Sequence, residues 1–567
     1  MRKLGFIIGI IILLIAVMPL SMPVNDNLPV QAAEPLQAAP PNPDFVEFQQ
    51  NGSEPFYGYI PPPVDLSHLD KIPVERREPL RLSLPGTFDL RESGKVTSVK
   101  DQDGCGTCWL FGTLSAVESR CLVKENATYD FSEQNLVCCT DPSWTYLDNN
   151  RCMGGGWSWL ATDMLTKKGT RLESCQPYNP ATIDTDTCND NCTSIKRITG
   201  YRWIADNATA ISEVKNAIYN YGAVSMAYYH DGACMYPGSI YYYPYGYCPS
   251  PNHLVSIVGW NDTIPWPVGG GHGAWIVKNS WGTGWGDNGY FYLCYGSAGM
   301  SEVASYRYEN YTGEHIYYWD EAGWVGSLGD LTPSLWMASI FSAGQDGTLD
   351  KVEFWTTSNN AQYHIYVYRD GDISDGLQNL AASQSGTCEE VGYYSIPLDS
   401  PVSLTSGEAF TVAVEMITPG FGYPIAVEMA VAGWCAPPIQ SNVSFIRQEG
   451  GDSWEDAAPY GWNVCLRGVV TPLPPVHNIN TGENFSTIQG AIDAANTTAG
   501  HTITVDAGTY HENVDVYKQL TIRSTSGNPA DTIVNATNSS DYVFNVTANW
   551  VNITGFTVEN ATGADKA

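Results

Sequence analysis

The most informative segment of the chain is Gln102-Asp103-Gly104-Cys105-Gly106-Thr107-Cys108-Trp109, because it opens an apolar helical segment that runs from Cys108 to Val123. A thiol at a helix N-terminus lies at the positive end of the helix dipole, close to unpaired backbone N–H groups, and both favour the thiolate. The Gln102 amide, six residues upstream of Cys108, can donate to a developing oxyanion together with the Cys108 backbone N–H. The pattern therefore predicts a nucleophilic cysteine with an oxyanion donor.

A thiolate nucleophile also needs a base, and the base needs a group that orients it. Asn252 and His253 lead directly into the apolar strand Leu254–Trp260, so the imidazole stands at the start of a strand, where it can face a cleft. Farther on, the Asn279 amide can hold the imidazole, and the Trp281 indole can shield that hydrogen bond from water. Cysteine, histidine and asparagine therefore occur in an order that suits nucleophilic catalysis.

Three separated motifs resemble the papain family of cysteine peptidases, namely 102–109, 252–260 and Asn279-Ser-Trp-Gly-Thr-Gly-Trp-Gly-Asp-Asn-Gly-Tyr290. Two shorter pieces agree with the resemblance, Leu90-Arg91 with Val96–Val99 and Ser132-Glu133-Gln134 with Cys139 and Cys152–Gly155. The family places its histidine and asparagine roughly 130–150 residues after the cysteine. His253 fits this range (253 − 108 = 145), whereas Asn279 lies beyond it (279 − 108 = 171), and the insertion-like loop 263–271 explains the excess.

The resemblance implies a role for each motif residue. Cys108 would be the nucleophile, His253 the general base and then acid, Asn279 the orienting group and Gln102 the oxyanion donor. Substrate would be bound by Gly154, Gly155, Trp157, Asn252 and Trp281. The Gly154-Gly155 edge would pair with the substrate backbone, and Trp157 would wall the main specificity pocket. Two residues depart from the family pattern, since Thr107 replaces a small residue and Asn252 stands where many relatives carry aspartate.

Most of the other cysteines are predicted to form disulfides. The resemblance implies Cys105–Cys152 and a bond from Cys139 to Cys188 or Cys192, while closeness in sequence favours Cys234–Cys248. Without Cys108, residues 84–311 hold eleven cysteines and residues 312–471 hold three, both odd numbers. Either Cys294 bridges the two regions or each region keeps one free buried thiol. A zinc site at Cys105 and Cys108 is excluded because no second ligand pair has structural spacing, and no metal or cofactor is expected.

The net charge restricts the partners of the protein. The 567 residues carry a formal charge of 28 − 60 = −32, and the sequence pI is ≈ 4.4. Such a chain repels polyanions, so nucleic acids and anionic membranes are excluded as partners. Hydrophobic residues make up 43% of the chain, which is enough for packed cores. A protein or peptide substrate is the expected partner.

The length and the changes in pattern predict a multidomain protein. Residues 34–83 form a Pro-rich arm or propeptide, and residues 84–311 form an α+β papain-like two-lobed peptidase. Residues 312–471 have the short alternating strands of a β-sandwich, residues 472–475 are a linker, and residues 476–567 have the regular short strands of a partial right-handed parallel β-helix. The sandwich resembles the lectin-like domain of secreted archaeal peptidases, and the last region resembles the start of a pectate-lyase-like β-helix.

Export is predicted from the N-terminus. Residues 1–33 begin with Arg2 and Lys3, continue through an apolar run and end at Ala32-Ala33, which is typical of a cleaved signal peptide. The alternative is an uncleaved membrane anchor, because the apolar run is just long enough to span a bilayer. Export agrees with fifteen cysteines, and fourteen Asn-x-Ser/Thr triplets make the chain a candidate glycoprotein. The expected location is extracellular, either secreted or at the cell surface.

The predicted function is a secreted cysteine endopeptidase that works through a Cys108 acyl-enzyme. The alternatives are a cell-surface glycan-binding or adhesion protein with an accessory peptidase domain, and a β-helix polysaccharide lyase. Glycans would be bound through the β-helix or through the sandwich, at Tyr317–Asp320, 444–446 and 454–456, unless these aromatics fill the sandwich core or its contact with the peptidase. Residues Tyr57–Leu66 of the arm are expected to pack along the cleft or the sandwich and to be removed or displaced on activation.

Overall fold

The computed structural model describes residues 35–51, 57–76, 83–140, 150–205, 210–244, 248–374, 376–448, 453–473 and 475–562. The predicted signal peptide or anchor, residues 1–33, lies outside these ranges. Within them, no helix combines the length and the apolar character needed to cross a bilayer. From Leu36 onward the chain forms one compact unit.

The arm and the peptidase region supply most of the helices. The arm contains β1 (Gln37–Ala38), α1 (Pro43–Asn51) and a 3-10 helix (Ser67–Lys71). The peptidase region contains β2 (Thr87–Asp89), α2 (Cys108–Glu125), α3 (Glu133–Cys138), α4 (Arg151–Gly154), α5 (Ser158–Lys168), β3 (Lys196–Ala205), α6 (Ile211–Tyr221), β4 (Val224–Tyr228), a 3-10 helix (Gly232–Cys234), β5 (Met235–Tyr236), β6 (Ile240–Tyr241), β7 (His253–Pro265), β8 (His272–Lys278), β9 (Tyr290–Cys294) and β10 (Ser301–Asn310). The predicted two lobes are present, because α2, α3 and α5 share one core and the strands around β7 share another.

Helix α2 and strand β7 form the wall on which the site is built. Helix α2 is apolar almost all round, so it is buried on nearly every side, and it ends at Asn126 in the left-handed conformation typical of a helix C-cap. The first eight residues of β7 are all buried, because β7 lies between β4 and β8 and is covered on both faces. The start of β7 therefore faces the start of α2 inside the molecule.

The sandwich region consists of two packed sheets, as its alternating pattern predicts. Its strands are β11 (His315–Tyr317), β12 (Gly326–Gly329), β13 (Ser334–Ser342), β14 (Gly347–Thr356), β15 (Ala361–Tyr368), β16 (Leu380–Cys388), β17 (Gly392–Leu404), β18 (Ala409–Ile417), β19 (Ile425–Met429), β20 (Ser444–Gln448), β21 (Glu455–Asp456), β22 (Trp462–Val464) and β23 (Leu466–Pro472), with a 3-10 helix at Ala458–Tyr460. One sheet has the order β16-β15-β18-β13-β20-β21, and the other includes β14, β17, β19 and β23. Strand β17 also pairs with β3 of the peptidase region, so main-chain hydrogen bonds join the two regions directly.

The contact between the peptidase region and the sandwich region, called the seam below, buries both charge and aromatic surface. Arg467 of the sandwich is fully buried and forms ion pairs with Asp163 of α5 and with Asp320. Trp157 packs against Trp434 with ring centroids 4.8 Å apart. Because Asp320 is buried in this ionic cluster, the predicted glycan motif that ends at Asp320 contributes to the seam.

The C-terminal region is built mainly from parallel pairs of short strands. Its elements are β24 (Val476–Asn478), β25 (Glu483–Phe485), α7 (Ile488–Asp493), β26 (Thr502–Val505), β27 (Gly508–His511), β28 (Val514–Val516), β29 (Thr521–Ser524), β30 (Thr532–Asn535), β31 (Phe544–Val546), β32 (Asn552–Thr554) and β33 (Thr557–Glu559). Three parallel ladders are present, β26-β29-β32, β27-β30-β33 and β28-β31. The predicted linker 472–475 begins inside β23, whose last residue is Pro472.

Three disulfides are present among the described residues, Cys105–Cys152, Cys139–Cys188 and Cys175–Cys192. The option of Cys139–Cys192 is wrong, because Cys192 pairs with Cys175, which is nearer in sequence. The prediction of Cys234–Cys248 is also wrong, since both are free thiols and the Cys248 sulfur faces Gly299.

The predicted bridge from Cys294 to the sandwich is not formed either. Cys294 is a buried free thiol on β9. Strand β9 pairs with β8 inside the β lobe, whereas the sandwich joins the peptidase region through β3. The alternative of one free thiol per region underestimates their number, since Cys121, Cys138, Cys435 and Cys465 are free as well.

Candidate active site

Cys108 is the first residue of α2, and its side chain is fully buried. Its sulfur accepts a hydrogen bond from the backbone N–H of Leu254 at 3.3 Å. Leu254 is the neighbour of His253 at the start of β7. The two long-range motifs of the sequence therefore meet at the thiol.

His253 and Asn279 are hydrogen-bonded, with 2.8 Å between His253 Nε2 and Asn279 Oδ1. The Trp281 indole stacks on the imidazole with ring centroids 4.5 Å apart and an interplanar angle of 15°. Within the described residues, the buried His253 Nδ1 has no hydrogen-bond partner. Since buried polar atoms are nearly always paired, this nitrogen is available for proton transfer.

The Gln102 side chain is held in one orientation. Its Oε1 accepts a hydrogen bond from Ser280 Oγ at 2.6 Å, so its Nε2 must point the other way. That Nε2 donates to the Cys105 carbonyl at 2.7 Å and to the Tyr57 carbonyl of the arm at 3.0 Å. An amide fixed in this way can stabilise charge on a carbonyl oxygen without reorganising.

Residues 57–60 of the arm lie in the cleft as an extended chain. Gly156 donates its N–H to the Gly58 carbonyl at 2.9 Å and accepts from the Ile60 N–H at 3.0 Å. Gly58 has a φ of +115°, and a Cβ there would lie 2.2 Å from the Gly106 carbonyl, so only glycine allows the arm to pass this close to the nucleophile segment. The arm therefore binds where a peptide substrate would bind, and the prediction that it packs along the cleft agrees with this path.

Burial changes the protonation of the site. Burial raises the pKa of the Cys108 thiol well above its ordinary range, although the Leu254 N–H opposes this. Burial, together with the nearby His230, lowers the pKa of His253 to about 3. Both changes favour the neutral thiol and the neutral imidazole. The thiolate expected from the sequence is thus disfavoured in this buried site, because desolvation outweighs the backbone N–H groups that favour it.

The structure revises several predicted substrate contacts. Gly156, rather than Gly154 or Gly155, pairs with the extended chain, because Gly155 has a φ of +71° and ends α4. Trp157 does not wall an open pocket, since its ring is buried in the seam against Trp434.

Asn252 has two separate contacts in the cleft. Its side chain bonds the backbone N–H and carbonyl of His230 at 2.7 and 3.1 Å. Its own carbonyl accepts from the Tyr59 N–H at 3.4 Å. The backbone of Asn252 therefore faces the bound chain, while its side chain holds a neighbouring loop.

Other residues of the cleft escaped the sequence analysis. The Tyr178 hydroxyl bonds the Thr107 hydroxyl at 2.8 Å. This bond fixes the side chain of Thr107, the residue that replaces the small residue of the family pattern. The buried Glu302 carboxylate interacts with the Tyr59 hydroxyl of the arm and accepts from the Ser158 N–H at 2.7 Å. Of the residues missed, only Gly156 could have been found from the sequence. It is the third of three consecutive glycines, and such a run indicates close approach of another chain.

One group of potential metal ligands lies close together among the described residues, Cys139, Cys188 and Asp190. The two cysteines form a disulfide, so their sulfurs are not thiolate ligands.

Comparisons with known proteins agree with this geometry. Residues 84–310 match the papain family cysteine proteases, and residues 316–470 match the family described as lectin like domain. Cysteine proteinase 2 of Entamoeba histolytica is 36% identical over 218 residues, which are 37% of this chain and 64% of that protein. The cathepsin L-like peptidase of Aedes aegypti is 35% identical over 242 residues, 41% of this chain and 67% of that protein. The chain thus spans about two thirds of the length of these relatives.

A solved structure shares the arrangement of peptidase and sandwich. It contains the cysteine protease and lectin-like domains of Cwp84, a surface layer associated protein of Clostridium difficile. The match covers 77% of this chain and 98% of that one, with a TM-score of 0.65 and 24% identity. At this identity the likeness concerns the fold, and it extends the likeness beyond the peptidase region to the sandwich.

Proposed function

The chain belongs to the papain family of cysteine proteases, and we propose that it is an exported cysteine endopeptidase kept inactive by its own arm. The observation that carries the proposal is the extended segment 57–60, which is bound through its main chain beside Cys108 and Gln102. A cleft that binds one peptide chain in this way can bind another when the arm has left. The family likeness supports the chemistry, and the arm supports peptides as the substrate class.

In the proposed mechanism, departure of the arm readmits water and allows the thiol to transfer its proton to His253. The Cys108 thiolate then attacks a peptide carbonyl, whose oxygen receives hydrogen bonds from Gln102 and from the Cys108 N–H. His253, oriented by Asn279, protonates the leaving amine, and water hydrolyses the acyl-enzyme with His253 acting as base. His253 Nδ1, which has no hydrogen-bond partner within the described ranges, is suited to both transfers.

The test is labelling with the cysteine-peptidase inhibitor E-64, followed by peptide mapping, with casein cleavage measured in parallel. The intact chain and the chain without residues 34–83 are compared. We expect an adduct on Cys108 and E-64-sensitive cleavage only after the arm is removed. Equal activity of both forms would contradict inhibition by the arm, and a folded arm-free protein without adduct or cleavage would overturn the peptidase assignment.

A cell-surface or extracellular location is proposed on two grounds. The predicted signal peptide and the cysteine content indicate export, and the structural neighbour Cwp84 is described as surface layer associated. Glycosylation and an archaeal origin remain predictions from the sequence.

We further infer that the region 476–567 contains turns of a right-handed parallel β-helix. The parallel ladders support this. In one ladder β26 pairs with β29 and β29 with β32, and in a second β27 pairs with β30 and β30 with β33, so successive turns of the chain stack in the same order. A structural spacer or a carbohydrate-binding surface is the corresponding role.

Glycan binding by the sandwich is a second candidate function, favoured by one surface. Trp336 stacks on Tyr366 with centroids 5.3 Å apart, and the Arg447 guanidinium lies 4.3 Å from the Trp336 ring. Trp336 and Trp454 are half-buried, so part of this aromatic cluster faces solvent and can stack on sugar rings. A glycan array probed with the Cys108→Ala protein should lose its signal on Trp336→Ala, and an array without signal would rule out this function.

A further inference from the structure

The sandwich region holds residues 72–76 of the arm at a place outside the cleft. On the basis of the proposed function, we propose that this surface, formed by Asn359, Asn360 and Glu390 and called the sandwich peptide site below, is a second binding site for the protein substrate. It binds a segment of the substrate that lies outside helices and strands and carries a basic side chain, arginine above all, at the position of Arg76. The arm occupies the site until it leaves, and the substrate then takes its place.

Two neighbouring asparagines hold the main chain of the arm. Asn359 Nδ2 donates to the Ile72 carbonyl at 2.8 Å, and Asn360 Nδ2 donates to the Pro73 carbonyl at 2.8 Å. Asn360 Oδ1 accepts from the Glu75 N–H at 2.7 Å. Hydrogen bonds to the main chain depend little on which side chains the bound segment carries, so the same two amides can hold another chain.

The side chain of Asn360 is devoted to the arm. Its backbone has a φ of +59°, in the left-handed region that asparagine adopts more readily than most L-residues. Its backbone N–H donates to the Glu389 carbonyl at 2.9 Å, so the turn is held by the main chain. Both polar atoms of the side chain bond residues 73 and 75 of the arm. Such an arrangement indicates a surface built to bind a peptide.

Two carboxylates from different regions receive the Arg76 guanidinium. Arg76 Nη1 donates to Glu390 Oε1 at 2.6 Å, and Nη2 lies 3.5 Å from Glu213 Oε2 on α6 of the peptidase region. The Glu390 side chain is only 6% exposed. Departure of the arm removes this cation from a buried carboxylate, which is costly unless another cation replaces it. A guanidinium offers both the charge and the planar fork of donors.

One chain can occupy the cleft and the sandwich peptide site together, because the arm does so. Residues 57–60 lie in the cleft, residues 72–76 lie on the sandwich, and residues 61–71 join them. A substrate bound at one site is therefore presented to the other at a high effective concentration. The site should raise the efficiency of cleavage of long flexible chains and should not affect peptides too short to reach it.

The first test measures binding of a peptide with the sequence of residues 67–76. The Cys108→Ala chain is folded intact, and its arm is then cut and removed. We expect Glu390→Gln to weaken binding at least about tenfold, and to have much less effect on a peptide that carries Arg76→Ala. Asn360→Gly, which removes the side chain and keeps the left-handed backbone, should weaken binding about fivefold.

The matched control is Glu408→Gln, because Glu408 pairs with Arg369 near the other end of β17 from Glu390. It should leave the affinity for the peptide unchanged. The uncut chain should not bind the peptide, since residues 72–76 fill the site. Absence of binding to the arm-free protein, or equal binding by the Glu390→Gln protein, would overturn the inference.

The second test measures whether a substrate uses the site. Casein and a fluorogenic peptide too short to reach the sandwich are given to the arm-free enzyme with its wild-type thiol. We expect Glu390→Gln to lower kcat/KM for casein about threefold or more, mainly through KM, and to leave kcat/KM for the short peptide unchanged. An excess of the 67–76 peptide should inhibit cleavage of casein alone.

The two tests separate this inference from the proposed function. Peptide binding with an unchanged kcat/KM for casein in Glu390→Gln would mean that the surface holds only the arm, and would overturn the inference while the peptidase assignment stands. Cleavage of neither substrate by the arm-free enzyme would overturn the peptidase assignment, on which the binding test does not depend.

Discussion

The cleft and the seam are both buried, but their polar groups differ. Among the described residues, His253 Nδ1 and Asn279 Nδ2 in the cleft have no hydrogen-bond partner, whereas the Arg467 guanidinium in the seam has several. The Trp157 indole N–H of the seam also has none among those residues, so the contrast concerns the charged cluster of the seam and the catalytic groups of the cleft. Arg467 bonds the Asp163 and Asp320 carboxylates and the Thr166 hydroxyl. Unpaired buried groups cost stability and are free to react, and paired ones add to the integrity of the fold. Substitutions in the cleft should therefore change activity more than stability, and substitutions in the seam should do the reverse.

The largest effect is expected at the nucleophile. Once the arm, residues 34–83, has been removed, Cys108→Ala should lower casein cleavage about 10⁴-fold or more, because the acyl-enzyme cannot form. The midpoint of thermal unfolding should hardly change. Cys121→Ala is the matched control, since Cys121 is another buried free thiol of α2. A Cys108→Ala protein that keeps its activity would show that another group performs the chemistry.

The seam should respond in the opposite sense. Arg467→Met leaves Asp163 and Asp320 buried without their shared cation, and removal of one partner from such a cluster costs about 3–5 kcal/mol in the free energy of unfolding. Burial opposes ionisation of Asp163, but Arg467 and Lys167 overcome this and hold its pKa below the ordinary value. Denaturant unfolding of the Cys108→Ala protein measures the loss without self-cleavage.

The matched control for the seam is Arg447→Met, because Arg447 is half-buried on the outer face of the sandwich. Its change in stability should stay within about 0.5 kcal/mol. Arg467→Met should also leave kcat/KM per folded molecule nearly unchanged. An activity loss larger than the loss of folded protein would mean that the seam positions the cleft, and the contrast between the two regions would fail.

Protonation gives a third, smaller effect. The buried His253 has a pKa of about 3, below its ordinary value of 6.5. The unfolded form therefore binds a proton between these values, while the folded form does not. The contribution of His253 to stability is present above pH 6.5 and is lost as the pH falls toward 3. Between pH 7 and 4, the thermal midpoint of Cys108→Ala should fall by at least about 2–4 °C more than that of Cys108→Ala/His253→Gln.

Glu302 should show the opposite dependence of stability on pH, because burial raises its pKa and lowers that of His253. Its pKa is raised from 4.5 to about 7 by burial, so its contribution is present below pH 4.5 and is lost as the pH rises through 7. Cys108→Ala/Glu302→Gln should therefore gain stability relative to Cys108→Ala as the pH rises over that window. If both double variants shifted in the same direction, burial would not be the cause of the two pKa changes.

The contrast also explains what the sequence could predict. Cys108, His253 and Asn279 stand in local motifs whose residue types and spacing carry the chemistry, and the structure brings them to one place. The seam depends on Arg467 meeting Asp163 across 304 positions, which no local pattern encodes. The sequence around Glu302 has the pattern of an ordinary strand. The shift in register of β10 at this point arises from its pairing with β3 and β4, which the local pattern does not encode.

Asn252 should give the smallest effect on activity, but it separates the two explanations most clearly. It lies in the cleft, yet its side-chain polar atoms are hydrogen-bonded like those of Arg467 in the seam. Its side chain bonds both backbone groups of His230, so Asn252→Ala should cost about 1–2 kcal/mol in stability and change kcat/KM per folded molecule only a few-fold. Asn279→Ala should show the opposite balance, because Asn279 orients the base through Oδ1 while its Nδ2 has no hydrogen-bond partner in the described part of the chain. Unfolding curves and kcat/KM measured for both variants compare them directly. If the two asparagines behaved alike, location in the cleft, rather than hydrogen-bond satisfaction, would decide which buried polar groups serve activity.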